Sequence, residues 1–215
     1  MSSKNLIIHG DFDPVIISDI YYAYQAHLAG TVDKITFAIP VNVVAEEKRP
    51  YFFEKKEMIE ICLNEFAESG YPEREHKKRI DFVKRCETIP YEKKENLIMP
   101  AIQEVKKRYP KDRIYLEIKQ SQLQELKNHP DALEFLEKYN FIVIPDLLEK
   151  VEYTIMNDSF LRGNIDLCIS NMIFLLKIDR YTAMNSQSVR ENFKNYRRWV
   201  TPGVEEYILN NHFYE

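Results

Sequence analysis

A chain of 215 residues is long enough for a sizeable core and suits one large α/β domain or two small ones. With 45% hydrophobic and 30% charged residues it has the composition of an ordinary globular protein. The formal charge of −4, with Lys and Arg spread along the chain, argues against a general nucleic-acid binder, which would carry a basic face; nucleotide ligands stay open, since they need only a few local donors.

The N-terminal "MSSKNLII" lacks the long apolar region of a secretion signal, and the apolar stretch "MIFLLKI" falls well short of the ~20 residues of a membrane span. Three cysteines, Cys62, Cys86 and Cys168, form no CxxC pair; an odd count in apolar or helical surroundings predicts buried thiols in a reducing compartment. The expectation is a cytoplasmic protein without membrane or nucleic-acid partners.

Residues 5–9 (NLIIH) read as a continuous apolar strand, followed by a helical pattern over 17–29 and a second strand at 34–39 closed by Pro40. An amphipathic helix at 51–68 places Phe52, Met58, Ile59, Cys62, Leu63 and Phe66 on one side. A charged segment then leads to an expected strand near 79–84. Helix 93–108, strand 113–118, helix 121–139 and strand 141–145 come next, and a last helix begins after Pro202. Strands alternating with helices predict βαβ units, hence a parallel doubly wound sheet of five or six strands in a three-layer Rossmann-like domain. Short apolar strands without polar alternation agree, because both faces of such a sheet are covered. Ligands bind beyond the carboxyl ends of the strands where strand order switches, so the loop from Gly10 to Asp19 is where a site is expected.

Several stretches together carry a resemblance. "GDFDP" after strand one resembles the loop GGTFDPxHxGH of the bacterial nicotinate-nucleotide adenylyltransferases, within the HxGH nucleotidyltransferase superfamily. "FFEKKEMIEIC" is similar to that family's second helix, FxxRxxMxxxA, and "VKKRYPKDRIYLEI" to the helix and strand ahead of its substrate loop. "MNSQSVRENF" resembles ISSTxIRxxx, and "WVTPGVEEYILNNHFY" resembles the closing VPxxVxxYIxxxxLY, the most specific match in order and length. The likeness covers almost the whole of 1–215 as one domain, with a divergent segment at about 70–95 and a C-terminal helical part at about 186–215. It implies ATP and a pyridine mononucleotide as substrates, Mg²⁺ with the ATP, and AMP transfer with release of pyrophosphate in NAD biosynthesis. Such transfer rests on positioning and charge stabilisation around the phosphates.

Laid on this chain, the HxGH positions fall on Ile16, Ile17, Ser18 and Asp19, so both histidines are gone. Losing one preorganised donor costs about 10²–10³ in rate, and a carboxylate ~4 Å from a phosphate adds roughly 4 kcal/mol of repulsion at an effective dielectric of about 20. Only Mg²⁺ held by Asp19 would reverse that sign. The family's GAD triplet aligns with Lys119, Gln120 and Ser121, and its stacking Trp falls near His129. Its SYTxDT segment meets "NLIMPA", 96–101, which matches nothing. Ser186 and Ser188 keep hydroxyls in the ISST region, Arg190 keeps the arginine position, and Lys48 and Lys55 stand near a loop lysine and the helix-two arginine. The resemblance thus makes Gly10, Asp11, Phe12, Lys48, Ser186, Ser188 and Arg190 candidates for phosphate or nucleotide, Lys119, Ser121 and His129 candidates for the second substrate, and Asp19 and Arg190 the catalytic candidates should activity survive.

The same residues have plainer uses. Gly10 can turn the chain, Phe12 and Pro14 can pack, and Asp13 can cap a helix. Asp19 sits in a first helical turn, where a carboxylate suits the dipole without any substrate. Asn185 or Ser186 is a ready N-cap. Arg190, Arg197 and Arg198 offer an anion site, or "NYRRW" is a solvated face with Trp199 buried. A remote alternative reads the DxD of "HGDFDP" as a haloacid-dehalogenase-like phosphatase, with Asp11 as nucleophile and Asp13 as acid/base; no acidic pair follows strand 141–145 to complete it. The expectation is a degenerate adenylyltransferase-like protein that binds a nucleotide or another anion, or serves as a scaffold for a protein partner or a second copy, with transfer lost or very weak. An active adenylyltransferase using Asp19 with Mg²⁺, Arg190 and Lys48 is the alternative.

Overall fold

In the computed structural model, which describes residues 2–41, 49–69, 73–92, 98–130, 132–144, 150–174 and 184–214, the apolar runs become a parallel sheet. Its strands are β1 (Lys4–His9), β2 (Lys34–Pro40), β3 (Cys86–Tyr91), β4 (Arg113–Lys119), β5 (Asn140–Ile144) and β6 (Met172–Phe174), in the spatial order β3-β2-β1-β4-β5-β6. All neighbours pair parallel, with Ile7 opposite Leu116 on one side of β1 and opposite Thr36 on the other. Chain order therefore reverses between β1 and β4, and that gap is the switch-point crevice that topology assigns to ligands.

The helices are α1 (Ile17–Leu28), α2 (Phe52–Glu68), α3 (Glu73–Val83), α4 (Met99–Arg108), α5 (Ala132–Lys138), α6 (Val151–Asn157), α7 (Ser159–Gly163), α8 (Ile165–Asn171), α9 (Ser186–Glu191), α10 (Phe193–Tyr196) and α11 (Pro202–Asn210). Two 3-10 segments, Gln120–Asn128 and Arg197–Trp199, complete the set among the described residues. The pleat of each strand sorts its side chains into two cores. Leu6, Ile8, Phe37, Tyr115 and Ile142 face α1, α2, α3 and α11, whose Ile20, Met58, Phe82 and Val204 meet them. Ile7, Ala38, Leu116, Phe141 and Val143 face α4, the 3-10 segment and α5, through Ile102, Leu123 and Phe135. Burial on both faces explains the continuous apolar strands. Among the described residues no helix is long and apolar enough to cross a membrane.

Three expectations need correction. The stretch around 79–84 is not a strand: Glu73–Val83 is helical, with Phe82 buried at the centre of an aromatic group formed by Tyr24 and Phe66. The strand is the next segment, "CETIPY", whose proline is tolerable because β3 is an edge and needs no partner on its outer side. Helix 121–139 is instead a 3-10 segment and then α5, divided at Pro130, which cannot continue a helix and restricts the residue before it. The expected helix at 93–108 is helical over Met99–Arg108, and residues 93–97 lie outside the described residues. Cys62 and Cys168 are buried, whereas Cys86 is half-buried; burial pushes the Cys62 thiol up to about 12. β6 and the short helices α6 to α8 had no counterpart in the expectation.

Candidate functional site

β1 delivers the chain into a tight loop before α1. Phe12 takes a left-handed backbone (φ 44°) that a bulky L-residue seldom adopts. Its ring is buried edge-to-face against Phe37, centroids 5.8 Å apart, so Phe12 is a packing residue here. A Cβ placed on Gly10 would meet only that ring, at 3.8 Å, which is ordinary contact; the glycine is not demanded by crowding. Asp11 is exposed at the loop surface and raises the Tyr91 phenol from across the end of β3, after the larger effect of burial.

Asp13 ties this loop to the rest of the chain. It is 5% exposed and receives three groups from distant segments. Tyr214 donates its hydroxyl to Oδ1 at 2.5 Å, Arg190 donates Nη1 to the main-chain carbonyl at 3.0 Å, and the Arg190 and Arg49 guanidinia lie 3.9 and 3.8 Å from Oδ2. Arg190 is thereby engaged with the loop itself. Ser186 and Ser188 sit in the first turn of α9, but the cap is Asn185, whose side chain accepts the Ser188 amide at 2.8 Å. The arginines of "NYRRW" do not join Arg190: Arg197 pairs with Glu205 at 3.5 Å on the surface, and Trp199 is half-buried, with its ring 4.5 Å from that of Tyr196. Lys55 is buried within α2. Lys48 lies outside the described residues.

At the start of α1, Ile16, which the resemblance aligns with the first position of HxGH, is 2% exposed and built into the core. Asp19, aligned with the last, closes the helix end on itself: its Oδ2 accepts the Ile16 amide at 3.0 Å while its own amide donates to the Ile16 carbonyl at 3.0 Å. A helix N-terminus attracts anions through its free N–H groups and dipole, and here the chain's own carboxyl takes that place. Glu117 of β4 faces the same side of the sheet, since the pleat aligns it with Tyr115. Burial first, then Asp19, pushes the Glu117 carboxyl up to about 8, with Lys119 pulling it down; its Oε2 is buried without a hydrogen-bond partner among the described residues. Burial pushes Asp19 up to about 6, opposed by the Ile16 amide and by Lys119. Sequence reasoning found Asp19 and Lys119 but missed Glu117, because a glutamate inside "RIYLEI" reads as ordinary strand polarity.

The Mg²⁺ that the resemblance implies does not fit this arrangement. Among the described residues no three His, Cys, Asp or Glu side chains converge, Asp19 Oδ2 already accepts an amide, and burial raises the Glu117 carboxyl to about 8.

A cavity of about 460 Å³ opens beside the ends of β1 and β4, lined by Glu117 itself together with Leu116, Phe135 and Phe141. His9 is part of the same lining. His129 also lines it, stacked on Phe135 at 5.0 Å and 23°. Ser121, exposed in the 3-10 segment, is not part of its lining.

No protein-family model and no curated protein matches this sequence. Solved structures do resemble it. A nicotinic acid mononucleotide adenylyltransferase of Plasmodium falciparum, complexed with APC, superposes with a TM-score of 0.71 over 99% of this chain and 97% of that one, at 14% identity. The same enzyme complexed with NaAD gives 0.69 over 98% and 97%, also at 14% identity. The six parallel strands, their order and the flanking helices are thus those of an established architecture: the chain has the fold of the nicotinic acid mononucleotide adenylyltransferases.

Proposed function

We propose that this protein binds a nucleotide in the crevice between β1 and β4 but transfers adenylyl groups very slowly or not at all. The observation that carries the reading is the closed start of α1. Asp19 occupies the Ile16 amide, and Ile16 is consumed by the core, so the helix end that would cradle phosphate oxygens presents a carboxyl instead. Glu117 beside it adds a second acidic group, and Arg190 is held by Asp13. The neighbours' complexes with APC and NaAD support a nucleotide as the ligand of this fold. Lys119, whose charge is felt by both Asp19 and Glu117, supplies a cation at the crevice.

Pyrophosphate release with ATP, Mg²⁺ and nicotinate mononucleotide tests the catalytic half of the reading. The expected rate is background, and turnover near ~1 s⁻¹ or above would overturn it. Thermal-shift titration with ATP tests the binding half. The expected result is a stabilisation that Lys119→Met abolishes; no shift at millimolar ATP would remove nucleotide binding from the account.

A further inference from the structure

We propose that the outer edge of β3 is an interface with a second copy of this chain, the two edges pairing antiparallel about a twofold axis so that the sheet continues from one protomer into the other.

The backbone groups of this edge can be placed. β3 ends the sheet and pairs only with β2. The Val41 amide donates to the Tyr91 carbonyl at 3.0 Å, and the Ile35 amide to the Arg85 carbonyl at 3.0 Å, so the odd-numbered residues turn their backbone toward β2. In a parallel strand the N–H and C=O of one residue point the same way and alternate along the chain. Cys86, Thr88 and Pro90 therefore face outward, and such a row is a template for another strand. Pro90 lacks a donor but keeps its carbonyl, so it costs a bond and not the pairing. The opposite edge, β6, has only 3 residues and offers no comparable length.

The side chains favour a second copy as the occupant. A twofold axis brings residue i of one strand opposite j of the other, and j opposite i. Centred on Thr88, it sets the two Thr88 residues opposite each other, where they exchange N–H···O bonds, and gives each Pro90 carbonyl a Cys86 N–H. Threonine pairs are favourable at such positions. Charge complementarity supports the same register. Lys84 precedes the strand and Glu92 follows it; both are exposed, and among the described residues neither has an ion partner. The axis lays the start of one strand beside the end of the other, so each Lys84 meets a Glu92, once at either end. A register centred on Glu87 would instead set two glutamates opposite each other, which disfavours it. On the α4 side a groove of about 420 Å³ runs beside the edge, lined by Pro90, Tyr91, Pro100 and Gln103, and receives side chains of the added strand.

Sedimentation equilibrium on the full chain between about 1 and about 100 μM tests the interface. The expected result is a monomer–dimer equilibrium. Lys84→Glu and Glu92→Lys, each of which sets like charges together at both ends, are expected to weaken the dimer about tenfold, and the double variant to recover it to within about threefold. Thr88→Pro removes an N–H that points away from β2 and is expected to abolish the dimer with an unchanged circular dichroism spectrum. A monomer at every concentration would overturn the proposal. So would a dimer indifferent to any of these single substitutions, or a double variant that fails to recover. Should Thr88→Pro not fold, the charge reversals at the two exposed positions decide alone. None of these measurements requires ATP, so their outcome is separate from that of nucleotide binding.

Discussion

Tyr214 donates its hydroxyl to Oδ1 of Asp13 across 2.5 Å, joining the C-terminal turn to the loop after the first strand over 201 residues of sequence. Burial, and then the Asp13 carboxylate, hold the phenol well above its ordinary range, so it remains a donor at any working pH. Tyr214→Phe keeps the ring and removes only this bond to a charged acceptor. The expected cost is about 2 kcal/mol, seen as a fall in Tm of roughly 4–8 °C in a thermal melt. An unchanged melt would show that the clasp contributes nothing.

Protonation of Glu117 couples to folding. Its carboxyl is raised from 4.5 to about 8 in the folded chain, so between those values the folded state holds a proton that the unfolded state has released. Stability from this group is complete below about pH 4.5 and is lost as pH rises toward 8. Asp19 adds a parallel loss between 3.8 and about 6. Glu117→Gln keeps the shape and removes the titration. It is expected to stabilise the protein at about pH 8 by on the order of 2–4 kcal/mol and to do little at about pH 4, measured by urea unfolding at both pH values.

Substitutions at Ile16 and Asp19 should have unequal consequences. Ile16 is packed among core residues, so Ile16→His is expected to cost roughly 2–4 kcal/mol of stability by burying a polar ring and removing aliphatic contacts. Asp19→Asn retains an oxygen for the Ile16 amide and removes only the charge. Its expected effect is to tighten ATP binding by about tenfold with little change in Tm. Isothermal titration alongside a melt would check both; weaker ATP binding by Asp19→Asn would contradict the closed-seat reading.

The closing helix is docked by close backbone approach. A Cβ on Gly203 would come within 2.8 Å of Ile61 Cγ2 and 3.0 Å of the Glu65 carboxyl, which accepts the Gly203 amide at 2.8 Å. Gly203→Ala must therefore push α11 from α2, with an expected loss of about 1–3 kcal/mol by urea unfolding. Gly163, with open space where a Cβ would stand, is the control position for the same substitution.

Much of this was legible in the residues. Uninterrupted apolar runs such as "NLII" and "FIVI" announced strands covered on both faces, and their alternation with helical spacing announced a parallel sheet and hence a crevice beyond β1. The amphipathic face of α2 was readable because Met58, Ile59, Cys62 and Leu63 recur at helical spacing. The charged "EREHKKRIDFV" misled because few of its residues are apolar; packing against α1 and α2 buries Phe82 on its inner side. β6 was obscure because three residues of edge strand have no period to detect.

Local sequence by itself determined the fold class, because strand and helix periods depend on neighbours a few positions away. Only the tertiary structure decided which side chains gather at the crevice. Asp19 of α1 is brought near Glu117 of β4, and Asp13 gathers Tyr214 and Arg190 from the far end of the chain. Those relationships join elements that the sequence keeps apart, and their energies depend on burial and distance, which exist only once the chain has folded.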